Sequence, residues 1–157
     1  MIPSLLQILL IGDSLFTSTA TRQELERGGV QVTVDAKVGR RATEFKLGSC
    51  PDSAFVLLGS NDAVQGREEE GLAALRDLYR ILWRCSGRLI ILPPPGSHPR
   101  VRAFATRLFD HASPSGGSAV GFEVIRPEAY SLGTPDGVHL TVPGYRRLGR
   151  LIAEKWR

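Results

Sequence analysis

Leu5-Leu6-Gln7-Ile8-Leu9-Leu10-Ile11-Gly12-Asp13-Ser14-Leu15 is an apolar run that stops abruptly at a glycine and two polar residues. The stretch Leu5 to Ile11 is short and rich in Leu and Ile, which predicts a buried strand. Ser14 then falls at a strand-to-helix turn. That position puts its hydroxyl at the carboxyl edge of a sheet and its backbone N–H at a helix N-terminus. Leu15 to Arg27 can continue as a helix, stopped by Gly28 and Gly29, a pair suited to a left-handed C-terminal cap.

The same alternation of apolar runs and amphipathic stretches fills the chain. Val30 to Val34 alternates strictly, and Ala54 to Leu58, Leu89 to Leu92 and Val120 to Ile125 are further short apolar runs. Between them, Arg67 to Arg84 places Leu72, Leu75, Leu78, Tyr79 and Leu82 on one helical face. Glu68, Glu69 and Glu70 stand at its start, where the helix dipole favours anions. Val101, Phe104, Leu108 and Phe109 mark another helix, Ser113 to Ser118 reads as a surface loop, and Thr141 to Trp156 closes the chain as a helix. Strands separated by helical crossovers predict an α/β domain with a five-stranded, mostly parallel sheet and right-handed connections. Ligands of such sheets sit beyond the carboxyl ends of the strands.

Composition bounds the rest. The 157 residues are 42% hydrophobic and 23% charged, which predicts one globular domain over 1–157 and excludes disordered and collagen-like chains. Two cysteines exclude a disulfide-rich scaffold. Cys50 and Cys85 have no metal-ligand spacing, and the expectation is two reduced or buried thiols. Met1 to Ile11 has no basic leader or small-residue cleavage pattern and is too short to cross a bilayer. A soluble, cytoplasmic protein without membrane insertion is expected from the chain as it stands. The net charge is +4, with 17 of the 20 basic residues Arg. Arg146, Arg147, Arg150, Lys155 and Arg157 gather on or beside the last helix, where cations complement its dipole. With no helix-turn-helix, RNP-type aromatics or basic tail, no nucleic-acid partner is expected.

The residues able to do chemistry all fall on the predicted carboxyl edge. A serine hydroxyl needs a base within reach before it can act as a nucleophile. In Thr134-Pro135-Asp136-Gly137-Val138-His139-Leu140-Thr141, a carboxylate three residues before a histidine can hold one imidazole nitrogen and leave the other facing the site. Asn61, after the strand at Ala54 to Leu58, can aim an amide at a developing oxyanion. Gly39, after the strand at Val30 to Val34, can offer an unobstructed backbone N–H. Taken singly, these residues are equally suited to be a helix cap, a turn Asp, a loop His, a turn Asn and a turn Gly.

The set in this order resembles the SGNH hydrolases, the GDSL family of esterases and lipases. Gly12-Asp13-Ser14-Leu15 matches the first block, Gly39 the second, Gly59-Ser60-Asn61-Asp62 the third and Asp136-Gly137-Val138-His139-Leu140-Thr141 the last. The resemblance implies a three-layer α/β/α, flavodoxin-like fold and a serine esterase needing no metal or cofactor. It implies Ser14 as nucleophile, His139 as base and Asp136 as its orienter. The oxyanion hole would be Ser14, Gly39 and Asn61, braced by Asp13 and Asp62. Arg40 and Arg41 depart from the small residues common after the second-block glycine. With His98 they are possible rim residues, able to steer an anionic substrate such as an acidic glycan. The absence of a long lid insertion favours a small acyl group, such as O-acetyl, on a carbohydrate-type alcohol. A lysophospholipase or thioesterase for longer chains is the alternative. A catalytically silent binding module is the reading from another class.

Overall fold

Ile8–Gly12 forms strand β1, and its alternate side chains enter two different cores, Leu10 on one face and Ile11 on the other. In the computed structural model, which describes residues 7–112 and 121–157, β1 lies between β2 (Thr33–Ala36) and β3 (Ser53–Leu57). Strands β4 (Arg88–Ile91) and β5 (Phe122–Val124) extend the sheet on the β3 side. The order is β2-β1-β3-β4-β5 and all four pairings are parallel, which is the flavodoxin-like order.

The helices are α1 (Thr19–Arg27), α2 (Ser60–Val64), α3 (Glu68–Cys85), α4 (Pro99–Ala112) and α5 (Val142–Trp156). Leu25 of α1 and Leu148, Ile152 and Ala153 of α5 pack with Leu10, Phe55, Leu57 and Ile90. On the opposite face, Leu72, Leu75 and Leu82 of α3 and Val101, Phe104 and Leu108 of α4 pack with Ile11, Ala54, Val56 and Ile91. The chain is therefore a three-layer α/β/α sandwich. β3 is buried at every position, so the sheet centre is sealed on both faces and only its ends reach solvent.

Local chemistry moves several boundaries from their expected places. Ser14–Phe16 is a single 3-10 turn, and α1 starts only at Thr19, capped by the Ser18 hydroxyl accepting from the Ala20 N–H. β2 begins at Thr33 rather than Val30 because Val30 closes the preceding helix: its N–H donates to Leu25 O while Gly29 N–H donates to Glu26 O. Gly29 takes the left-handed conformation this cap requires. The short α2, absent from the sequence reading, starts where β3 ends. The expected loop Ser113 to Ser118, together with Val120, Leu5 and Leu6, lies outside the described residues.

Cys50 and Cys85 correct an expectation: they are not two thiols but one disulfide, with Cα atoms 6.0 Å apart. Cys50 lies just before β3 and Cys85 ends α3, so the length of that helix returns the chain to the amino edge beside its own starting point. The Gly87 N–H donating to Asp52 O at 2.9 Å ties the same two segments. Spacing alone carries no sign of this, since the partners are 35 residues apart. Closing a loop of that length is expected to stabilise by ~2–4 kcal/mol. A Cys50→Ser/Cys85→Ser double variant should therefore lose that amount in urea titration, and the unreduced native protein should show no titratable thiol. An unchanged urea midpoint would contradict the bridge.

Candidate active site

Ser14 opens the 3-10 turn after β1. The buried Asp13 caps that turn, its Oδ1 accepting from the Leu15 N–H at 3.0 Å. The turn is closed by Thr17, whose N–H and hydroxyl both donate to Ser14 O. This leaves the Ser14 hydroxyl half-buried and 2.9 Å from His139 Nε2. The two residues are 125 positions apart, and the parallel sheet brings them together.

His139 is oriented from its other side. Its Nδ1 lies 2.5 Å from Asp136 Oδ2. Asp136 Oδ1 meanwhile accepts the backbone N–H groups of Val138 at 2.9 Å and His139 at 2.7 Å. An ionised carboxylate only accepts, so Nδ1 carries the proton and Nε2 is free to accept from the serine hydroxyl. The His139 side-chain hydrogen bond, helped by the two backbone donors, holds the Asp136 carboxyl well below the usual carboxylate range. The acid is thus an anion at any working pH.

Across the site, two side chains from the start of α2 tie down the loop after β2. Asn61 Nδ2 donates to Arg40 O at 3.0 Å. Asp62 Oδ2 accepts the Ala42 N–H at 2.8 Å, and burial raises its pKa. Between these ties and β2 lies Gly39, with φ of 76°. Nothing lies within 4 Å of where a Cβ would stand, so the backbone conformation, not space, calls for glycine here. The N–H groups of Ser14 and Gly39 meet no acceptor among the described residues.

The basic residues take other places. Arg40 turns away on its own loop. Its Nη1 donates to Asp35 O at 3.0 Å and Oδ1 at 2.7 Å, and its guanidinium lies 5.4 Å over the Phe45 ring. Arg41 pairs with Glu44, which also accepts the Arg41 N–H. His98 caps α4: its Nδ1 accepts from the Arg100 N–H, while its own N–H donates to Gly137 O at 3.0 Å.

His98 belongs to a clamp that sequence reasoning missed. Ser97 N–H donates to Thr134 Oγ1 at 2.9 Å, the two hydroxyls are 3.0 Å apart, and the buried Tyr130 donates to Pro93 O at 2.9 Å. A methyl at Gly96 would collide with the Gly137 carbonyl and come within 2.7 Å of Val101. The segment after β4 thus lies directly against the Asp136–His139 segment. The prolines before Gly96 can only end β4, and nothing in that run names a partner 37 residues away. Among the described residues, no group of three or more His, Cys, Asp or Glu side chains converges to hold a metal. No described helix is long and apolar enough to cross a membrane.

No family model matches the sequence, and no curated protein matches it. Solved structures do resemble it. A protein assigned to the G-D-S-L lipolytic family from Desulfitobacterium hafniense superposes with a TM-score of 0.73 at 14% identity, covering 96% of this chain and 99% of its own. A member of the lipolytic G-D-S-L family from Veillonella parvula gives 0.68 at 17% identity over 95% and 96%. The acetylxylan esterase Axe2 from Geobacillus stearothermophilus gives 0.61 at 16% identity over 95% and 93%. At these identities the likeness establishes a shared fold over the length of the chain.

Asp13 supplies a measurable signature of this site. Burial pushes its pKa up to about 6, against an opposing pull from the Leu15 N–H and His139. The folded state therefore binds the Asp13 proton more tightly than the unfolded chain, whose Asp titrates near ~3.9. This contribution to stability is present below about pH 4 and is lost as pH rises towards about 6. Asp13→Asn keeps the Leu15 acceptor without the charge. Its stability relative to wild type should climb by about 1–3 kcal/mol between pH 4 and pH 7, read by urea unfolding. A flat difference across that range would contradict a buried, proton-binding Asp13.

Proposed function

We propose that this chain is a serine ester hydrolase of the SGNH superfamily, acting as a single domain. The observation that carries the reading is the continuous hydrogen-bonded line from Ser14 through His139 to Asp136, built from opposite ends of the sequence. The shared fold with G-D-S-L lipolytic proteins and an acetylxylan esterase supports it, as do the four motif blocks that lie at the same sheet edge.

In this reading, Ser14 Oγ attacks an ester carbonyl while His139 Nε2 takes its proton. The negative charge that develops on the carbonyl oxygen is met by the Ser14 and Gly39 N–H groups and the Asn61 amide. Asp136 remains ionised and stabilises the imidazolium. His139 then gives its proton to the departing alcohol. Water, activated by the same imidazole, hydrolyses the acyl-enzyme and regenerates Ser14. Asp13 and Asp62 touch no substrate; they hold the turn after β1 and the loop after β2. No cofactor or metal enters this reaction.

The proposed substrate is a small acyl ester, such as an O-acetyl group, on a carbohydrate-type alcohol. A second reading, for longer acyl chains, draws on Val38, 70% exposed beside Gly39, and Val64, 40% exposed at the end of α2. Arg40 and Arg41 are engaged within their own loop and are poorly placed to steer an anion. The solvent-exposed Cys50–Cys85 bridge favours an oxidising compartment over the reducing cytoplasm.

Ser14→Ala should abolish labelling by a fluorophosphonate probe; continued labelling would place the nucleophile elsewhere. Asn61→Ala should lower kcat for an acetyl ester by about 100- to 1,000-fold with folding intact, as for the loss of one oxyanion donor. Wild-type turnover would remove Asn61 from that role. Across p-nitrophenyl esters, rates should fall from acetate to octanoate; rising rates would favour the longer-chain reading. No turnover on a broad ester panel would favour a silent binding module.

A further inference from the structure

A groove of about 460 Å³ lies between α4, residues 94–97 and residues 126–134. That volume suits a small ligand or part of a larger one. Its walls carry two guanidiniums, Arg102 and Arg126, and two carboxylates, Asp110 and Glu128, all exposed. None of the four forms an ion pair among the described residues. The Arg126 guanidinium lies 4.2 Å over the Phe109 ring. That contact favours one position of the cation on the groove wall, and a guanidinium so placed keeps its five N–H donors for other partners.

The chemistry of these walls selects a ligand. Guanidiniums only donate and call for an anion, best a carboxylate that can bind two N–H groups at once. Carboxylates only accept and call for donors such as hydroxyls. A ligand that satisfies both is a polyhydroxylated anion, whereas an alkyl chain satisfies neither. Resting on the esterase reading above, we propose that this groove binds a uronic-acid unit of an acidic saccharide whose O-acyl group is presented to Ser14. Thr134 lines the groove five residues before His139. Five residues span at most about 18 Å, so an oligosaccharide can reach from the groove to the reacting hydroxyl. The anion-reading role expected of Arg40 and Arg41 thereby passes to Arg102 and Arg126.

The test is calorimetric titration of Ser14→Ala, which cannot turn the ligand over, with a trimer of galacturonic acid and with a neutral trimer of galactose. The acidic trimer should bind, weaken with added salt, and weaken at least tenfold further in Arg102→Ala or Arg126→Ala on that background. The neutral trimer should not bind measurably. Arg102→Lys and Arg126→Lys, which keep the charge but lose the two-pronged donor, should restore part of the binding lost in the alanine variants; no recovery in either would also count against the proposal. Equal binding of both trimers, no binding of the acidic one, or unaltered binding by both arginine variants would overturn the proposal. Preferential binding of a short zwitterionic peptide would overturn the saccharide assignment. If the wild type hydrolyses no ester while the acidic trimer still binds through both arginines, the esterase reading fails and the groove assignment stands.

Discussion

A parallel sheet has a direction. Because all four strand pairings run the same way, each strand delivers its following residue to the same edge, and each crossover helix must carry the chain back across a face. That constraint places Ser14, Gly39 and Asn61 together although they follow three different strands. The site also lies where the chain order leaves β1 in both directions, to β2 on one side and β3 on the other. Loops there diverge, and the crevice between them is where ligands of open sheets bind. Burial of both sheet faces anchors the edge, so the groups that stand on it inherit their positions from the core.

Anchoring at the edge is then handed outward through side chains. Asp13 holds the turn under Ser14, and Asn61 and Asp62 hold the loop that carries Gly39. The Ser97–Thr134 and His98–Gly137 hydrogen bonds hold the segment that carries Asp136 and His139. Each neutral bond among them is worth on the order of 1 kcal/mol in stability, and those accepted by an ionised carboxylate about 1.5–3 kcal/mol. Their combined effect is geometric, because three loops with no shared ladder are tied to one frame.

The alternation of strands and helices, the mostly parallel sheet and the edge on which Ser14, Gly39, Asn61, Asp136 and His139 stand were legible in the residues, whereas the three layers and the strand order came only with the family resemblance. Hydrophobic period and strand ends are local properties of the chain. What was not legible depends on partners distant in sequence or on competition for a single donor. Val30 has the pattern of a strand, but its N–H is needed by the end of α1. The disulfide depends on where an 18-residue helix happens to end. Arg40 reads as a free cation until Asp35 and Phe45 are seen to surround it. The Ser97–Thr134 clamp joins two loops whose composition suggests only turns. Helix α2 is five residues long, too short for periodicity to register.

The Asn61–Arg40 hydrogen bond also fixes which way the amide faces. With one amide hydrogen committed to the Arg40 carbonyl, the side chain cannot flip, and its remaining N–H points in a single direction. Under the proposed mechanism, the carbonyl oxygen is drawn to one side of Ser14 and the nucleophile meets one face of the planar ester. Mirror-image esters then place their substituents against different walls of the site. Handedness of the substrate would be discriminated by an anchored carboxamide as much as by the shape of any pocket.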